Sequence, residues 1–224
     1  DACLQILTLS EAHQVDFFFM GGSLVTNTQQ AALIQLIKAH SSIPVILFPS
    51  SSLHIDSQAD GILLLSLISG RNPELLIGQH VISAPLLKAS SLAVYPTGYM
   101  LIDTGRQTTA SYMSSTTPIP YDKPSIAACT AMAGELLGLR FVYLDGGSGA
   151  MKPVSSTMIA AVKKAVEIPV IVGGGINTTE KAQAALEAGA DVIVVGNEIE
   201  KNPDFIAGVS GVVHAFNAAL DIHC

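Results

Sequence analysis

The sequence predicts an α/β protein of the (β/α)8 TIM-barrel type, on three observations. Short, continuous apolar runs recur along the chain: Phe17–Met20, Val45–Phe48, Ile62–Leu65, Leu92–Tyr95, Phe141–Leu144, Val170–Val172 and Val192–Val195. None alternates polar with apolar residues, so each reads as a strand buried on both faces, as in a parallel sheet covered by helices. Segments with helix spacing lie between the runs, in one series with no compositional break. That pattern gives a parallel sheet in a single domain covering residues 1–224.

Taken in order, residues Asp1 to Gln14 read as a helix leading into the Phe17 run. A helix with no strand before it is odd in such a series, so the eighth strand of the barrel is expected upstream of Asp1. An open, doubly wound sheet of seven strands is the alternative. Leu33, Leu36, Ile37 and His40 mark one face of a helix that stops before Pro44. From Met100 to Pro120 the rhythm breaks. Gly105, Pro118, Pro120 and many Ser and Thr predict a long loop there, of the kind that is usually functional or mobile. Ile159, Val162 and Val166 mark the next helix, with Pro153 near its start. Asn177-Thr178-Thr179-Glu180 has the form of a capping box, and Gly189 ends the helix it opens. Asn202-Pro203-Asp204 caps the last helix.

Composition excludes several classes. The chain has 224 residues, 49% hydrophobic and only 13% charged, against roughly 25% charged in an average soluble domain. Its mean hydropathy is +0.48, which excludes disorder. The net charge is −7 and the 11 Lys and Arg are scattered, so no basic face is available for nucleic acid. A membrane span needs ~18 consecutive apolar residues, and the stretch from Gly61 to Gly70 falls short. No charged-then-apolar leader opens the sequence. Cys3, Cys129 and Cys224 are far apart and odd in number, which argues against a disulfide framework or zinc site and fits a reducing, cytoplasmic setting. Cys129 lies in an apolar stretch and is expected in the core.

In parallel α/β folds ligands bind at the C-terminal ends of the strands. Gly173-Gly174-Gly175 and Gly196-Asn197 follow the last two runs. Glycines there let backbone approach an anion, and the helix near Asn177 adds N–H donors. These positions form a phosphate cup, or else simply tight turns. The turn Tyr143-Leu144-Asp145-Gly146-Gly147-Ser148-Gly149 is more discriminating. Asp145 is a carboxylate at a strand end, suited to take a proton from a substrate hydroxyl, or to cap the following turn. Tyr143 faces either the barrel mouth or the core. Gly21-Gly22-Ser23 offers one hydroxyl that can serve as a weak Mg²⁺ ligand, or act as an ordinary turn residue. The six histidines have no ligand spacing and read as surface or helix-end residues, while Asp103 and Glu135 are as well explained by structure as by catalysis. The middle strand ends (Pro49 with the serines at 50–52, and Pro96 to Tyr99) are small, neutral or aromatic. A phosphate cup beside an uncharged cleft points to a substrate with an apolar body.

At these residues the sequence resembles the geranylgeranylglyceryl phosphate synthase family, prenyltransferases on a modified TIM barrel. Gly21-Gly22-Ser23, Pro96 to Asp103, Tyr143 to Gly149, and Val172 to Ile176 with Val195-Gly196-Asn197 carry the likeness. Tyr112-Met113 through Pro118-Ile119-Pro120 and Asp122-Lys123-Pro124 look like the subgroup shared by many archaea and the Bacteroidetes. The resemblance implies transfer of a C20 chain from geranylgeranyl diphosphate to the C3 hydroxyl of sn-glycerol 1-phosphate. Diphosphate leaves, and the product is the first ether of archaeal-type lipids. It implies that Gly174, Gly175, Gly196 and Asn197 hold the glycerol phosphate, that Tyr143, Leu144, Asp145, Gly146, Gly147, Ser148 and Gly149 wrap the glycerol, and that Asp145 takes the hydroxyl proton. It further implies that Ser23 helps bind Mg²⁺ on the diphosphate. A homo-oligomer, dimer or hexamer, is expected, with peripheral membrane contact left open.

Two departures stand out. Family members more often carry Glu at the position of Asp145, and the shorter side chain leaves room for a bridging water. The family's first strand ends in Leu-Ile-Asp-Pro, whose Asp is the main Mg²⁺ ligand, and nothing in this sequence matches it. The competing classes are a phosphate-binding isomerase, a flavin barrel and a non-catalytic phosphate-binding barrel. The isomerases of histidine and tryptophan biosynthesis usually need paired acidic groups at the strand ends, which the middle strands do not offer.

Overall fold

The computed structural model describes residues 2–22 and 29–221. The apolar runs form parallel strands β1 (Phe18–Gly21), β2 (Val45–Phe48), β3 (Gly61–Leu67), β4 (Ala93–Leu101), β5 (Phe141–Asp145), β6 (Val170–Gly173) and β7 (Val192–Val194). They lie side by side in chain order, each paired in parallel with the next. The sheet curls. Phe19 of β1 and Val194 of β7 pack against one core with Ile46, Tyr99, Tyr143 and Ile171, whereas a flat sheet would hold its edge strands roughly 29 Å apart at ~4.8 Å per strand. This is the curled parallel sheet of a barrel. Among the described residues it has seven strands, and no ladder joins β7 to β1.

The helices are α1 (Ala2–Ala12), α2 (Gln30–His40), α3 (Gln79–Ala89), α4 (Thr109–Ser114), α5 (Pro124–Leu136), α6 (Ser156–Ala165), α7 (Thr179–Glu187), α8 (Asn197–Lys201) and α9 (Phe205–Asp221). All but α4, whose Ala110 packs with the inner face, and α8 bury the outer face of the sheet. Two apolar layers result: Val142, Leu144, Val170 and Val172 against Ala127, Met158, Ile159 and Val162, and Val45, Leu47 and Ile62 against Leu7, Ile34, Ile37 and Leu87. The helix ends follow their expected chemistry with one shift. Thr178, not Asn177, is the cap of α7: its hydroxyl accepts the Lys181 N–H, so Lys181 and not Glu180 is the third residue of the helix. After α7, Gly189 at φ +103° lets its N–H reach Leu186 and that of Ala190 reach Ala185, a Schellman closure.

The structure corrects four expectations. First, β4 does not stop at Tyr95 but runs through Pro96 to Leu101. The missing N–H of Pro96 lies on the side of its carbonyl, which accepts from Arg140 just before β5 begins, so no ladder bond is lost there. Second, the stretch expected to be a loop from Met100 to Pro120 contains the end of β4, an Ile102–Ile119 bridge and α4, capped at Thr108. Third, only the 3₁₀ turn Ser52–His54 stands between β2 and β3, so that crossover has no covering α-helix. Fourth, Cys129 is exposed because α5 turns Ala127, Ala131 and Gly134 inward instead. On α2, likewise, Ile34 and Ile37 are buried while Leu33 and His40 are exposed.

One polar device ties helix to sheet twice. Asp60 accepts the N–H of Val45, the first residue of β2, and pairs with Lys38 of α2 at 2.6 Å. Asp191 accepts the N–H of Val170, the first residue of β6, and pairs with Lys163 of α6 at 2.7 Å. Burial works to raise the Asp60 carboxyl, but Lys38 and the Val45 N–H together hold it below the usual carboxylate range. A lowered folded value stabilises the fold above the unfolded value, and that contribution disappears as pH falls through the folded value. Asp60→Asn is therefore expected to cost about 1 kcal/mol at pH 7, small because the pair is partly solvated. Urea unfolding of the two proteins should converge below about pH 4.

Candidate active site

Asp145 ends β5 and is only 8% exposed. A carboxylate so placed needs hydrogen bonds, and it has them: the Tyr99 hydroxyl donates to Oδ2 and the Gly147 N–H donates to Oδ1 at 2.7 Å. Asp145 therefore caps its own turn, as one of its two readings held, and still has free acceptor positions on both oxygens. Burial raises its carboxyl above the usual range, against the lowering pull of Tyr99 and Gly147. The Tyr99 and Tyr143 hydroxyls are pushed well above the ordinary phenol value, by burial first and then by the neighbouring Asp145 charge. Both phenols are thereby held in the protonated form, in which Tyr99 donates to the Asp145 carboxylate.

The sheet register makes this contact. Tyr99 lies opposite Tyr143 and Leu101 opposite Asp145. The two tyrosine rings meet edge to face at 5.6 Å between centroids, and Phe48 packs on both. Tyr143 is thus an inward-facing residue of the buried aromatic floor, its hydroxyl lying over Gly173, where any Cβ would collide with it. Leu144 points the other way, into the helix layer with Met158 and Val162, so it offers the mouth backbone only.

The loops after β5, β6 and β7 converge on this floor. The Gly146 N–H donates to Gly173 O at 3.0 Å, and Thr104 donates to Gly146 O. Arg106 donates to the carbonyl of Gly149. The Ser148 hydroxyl donates to Asn197 Oδ1 at 3.1 Å, joining the β5 loop to the start of α8. Gly174 has φ +81°, and a Cβ there would sit 2.7 Å from the Gly147 nitrogen, so only glycine lets the two loops nest. Nearly all the positions expected for substrate, Tyr143 through Gly149 with Gly174, Gly175, Gly196 and Asn197, therefore belong to one cluster of strand ends. Ser23 lies outside the described residues. Among the described residues no three His, Cys, Asp or Glu side chains come together, so the protein groups described do not by themselves form a metal cage.

A cavity of about 420 Å³ opens beside this cluster. It exists because the β2–β3 crossover lacks a helix: the segment from Pro49 to Ile55 forms one wall, Ile62 and Leu64 of β3 the floor, and α3 the far side through Ser83 and Leu87. Among the described residues no Asp, Glu, Lys or Arg lines it. His80 does line it, half-buried and not on the surface as expected, with Nε2 2.9 Å from Ser66 Oγ and burial keeping its pKa below the usual value. Tyr99 is the shared wall, lining the cavity while its hydroxyl meets Asp145. The sequence places Tyr99 among the uncharged strand-end residues but gives no sign of its bond to Asp145. Reading β4 through Pro96 would have placed it level with Tyr143.

Fold and site define a parallel β/α barrel with a glycine-walled cup at its last strand ends and a buried carboxylate between that cup and an apolar cavity. The PcrB family model matches residues 4–213, and the chain belongs to that family. It is 59% identical to the geranylgeranylglyceryl phosphate synthase of Spirosoma linguale, over 98% of this chain and 88% of that one. With the enzyme of the same name from Thermococcus gammatolerans it shares 43%, over 88% and 78%. A crystal structure of (S)-3-O-geranylgeranylglyceryl phosphate synthase from Thermoplasma acidophilum, in complex with substrate sn-glycerol-1-phosphate, superposes with a TM-score of 0.89 at 34% identity, over 95% of this chain and 87% of that one. Orotidine 5'-phosphate decarboxylase from Pyrococcus horikoshii shares the fold alone, at TM-score 0.61 and 12% identity over 96% and 92%.

The Tyr99 bond lowers the Asp145 pKa, so its removal has a defined sign. In Tyr99→Phe the Asp145 carboxyl should titrate at higher pH than in the wild type, as followed by carboxyl ¹³C NMR. An unchanged midpoint would mean that the pair does not form in solution.

Proposed function

We propose that the protein is a prenyltransferase that joins the geranylgeranyl group of geranylgeranyl diphosphate to the C3 hydroxyl of sn-glycerol 1-phosphate. The observation that carries this is the position of Asp145, buried where the glycine-rich ends of β5 and β6 nest together and joined through Tyr99 to the wall of an uncharged cavity. The names of its relatives, and the sn-glycerol-1-phosphate complex of the Thermoplasma acidophilum enzyme, support the same substrates.

The phosphate sits at Gly174, Gly175, Gly196 and Asn197, and the turn from Tyr143 to Gly149 wraps the glycerol. The C3 oxygen forms its bond to C1 of the prenyl chain as the C1–O bond to diphosphate breaks. The electron pair leaves with the diphosphate, and the hydroxyl proton passes to Asp145, directly or through one water. The raised pKa of Asp145 suits a general base, and Tyr99 keeps the carboxylate aimed while its ring closes the apolar cavity that takes the chain. Mg²⁺, when bound, would supply charge neutralisation for the leaving diphosphate. Ser23 is the protein hydroxyl proposed to assist it, which suits an ion that keeps most of its waters and substrate oxygens. We place the enzyme in the cytoplasm as a homo-oligomer. Among the described residues no helix is long and apolar enough to cross a membrane, and α5 leaves Ile126, Met132, Leu136 and Leu137 exposed, a face suited to a second copy.

Incubation with Mg²⁺, sn-glycerol 1-phosphate and labelled prenyl diphosphates of several lengths should yield an ether lipid, with the C20 donor preferred. No product from any donor would overturn the assignment. Asp145→Asn should lower kcat by about 10²-fold or more while glycerol phosphate binding changes little. Equal losses in both would make Asp145 a binding residue only.

A further inference from the structure

The helix that roofs the apolar cavity is apolar on both sides. Toward the sheet, α3 buries Ser83 and Leu87. Toward solvent it presents Val81, Ile82, Ala84, Pro85 and Leu86, all exposed, with Val81 at 67%. A helix on a water-facing surface normally carries polar residues on that side, and one that is apolar all round is normally covered by something. The helix has no carboxylate, and the only Lys or Arg on it is Lys88, in its last turn. Ile77, in the turn leading into α3, extends the apolar face.

The same helix packs against the turn Ser52–His54, at the mouth of the cavity. Leu53 and Met113 line the cavity and are at the same time exposed, Leu53 at 89%. They are rim residues, apolar where they meet the solvent. A second copy seated on this rim would seal the opening through which a long-chain substrate must enter and its product leave. A lipid surface would instead supply the one and receive the other.

We propose that α3, with the Leu53 and Met113 rim, is a membrane-docking surface that sets the cavity mouth against a lipid bilayer. This rests on the reading of the cavity as the prenyl-chain site. Docking is driven by apolar burial. At a net charge of −7 the protein has no general electrostatic attraction to lipid, so binding extends to electrically neutral bilayers and persists as salt is raised.

The test is sedimentation of the full chain with vesicles of phosphatidylcholine alone, at low and high salt. The wild type should pellet with the vesicles at both. Ile82→Glu with Leu86→Glu, two residues one helical turn apart and outside the cavity lining, should weaken pelleting about tenfold or more. It should leave particle mass unchanged and turnover intact with detergent-solubilised prenyl diphosphate. Leu136→Glu on α5 should pellet as the wild type does. If the Glu pair does not fold, Ile82→Ser with Leu86→Ser serves in its place. The proposal is overturned if the wild type stays in the supernatant, if the α3 variant still pellets fully, or if that variant loses particle mass in the absence of vesicles, which would assign the face to a second copy. Loss of wild-type turnover in detergent would remove the prenyltransferase reading instead, and pelleting would still report on the surface.

Discussion

The buried carboxylate of Asp145 sets the terms for the strand ends around it. Without its two donors it would be forced to neutralise, so the Tyr99 hydroxyl and the Gly147 N–H are conditions for a charged group at this depth. Each condition propagates. Tyr99 reaches Asp145 only because β4 continues past Pro96 and puts residues 99 and 143 in register. Gly147 reaches Asp145 only because the β5 turn nests against Gly174, where a side chain would collide with the Gly147 nitrogen. The glycine turns and the hydrogen bonds of Asp145 therefore depend on one another. The β5 turn donates the Gly147 N–H that holds the Asp145 pKa down, against the burial that raises it.

The second constraint is a missing cover. Right-handed parallel crossovers usually carry a helix, but the chain from Pro49 to Asp60 has one 3₁₀ turn. The apolar side chains of β3 that a helix would have buried instead line a cavity, and α3 roofs it. Half the expected charge, the composition's oddest feature, is thereby partly explained. Strands buried on both faces need no charge, the cavity wall excludes it, and α3 carries only Lys88.

Much of the fold was legible because buried parallel strands write themselves as continuous apolar runs. Each of the seven was found, and Val45–Phe48 to the residue. β4 was truncated in the sequence reading because proline is a strand breaker unless its missing N–H faces no partner, and pairing with a strand that starts one residue later cannot be seen in one dimension. Tyr99 was legible as a strand-end residue of the uncharged cleft, but its pairing with Asp145 was not, for the same reason. The glycine turns and Asp145 were legible from their place after apolar runs, though the choice between cap and base was not. The structure shows that the cap is made and that acceptor positions remain. Cys129 misled because α5 is apolar on its outer face as well as its inner one, so local hydropathy carried no direction.

The central claim is that Asp145 stands between the phosphate cup and the apolar cavity and receives the proton of the C3 hydroxyl. A crystal structure with sn-glycerol 1-phosphate bound addresses it most directly. The phosphate should lie on the backbone of Gly174, Gly175, Gly196 and Asn197, with the C3 oxygen at ~2.6–3.2 Å from an Asp145 carboxylate oxygen or one water away. A glycerol whose C3 hydroxyl points away from Asp145, or a phosphate bound elsewhere, would contradict it.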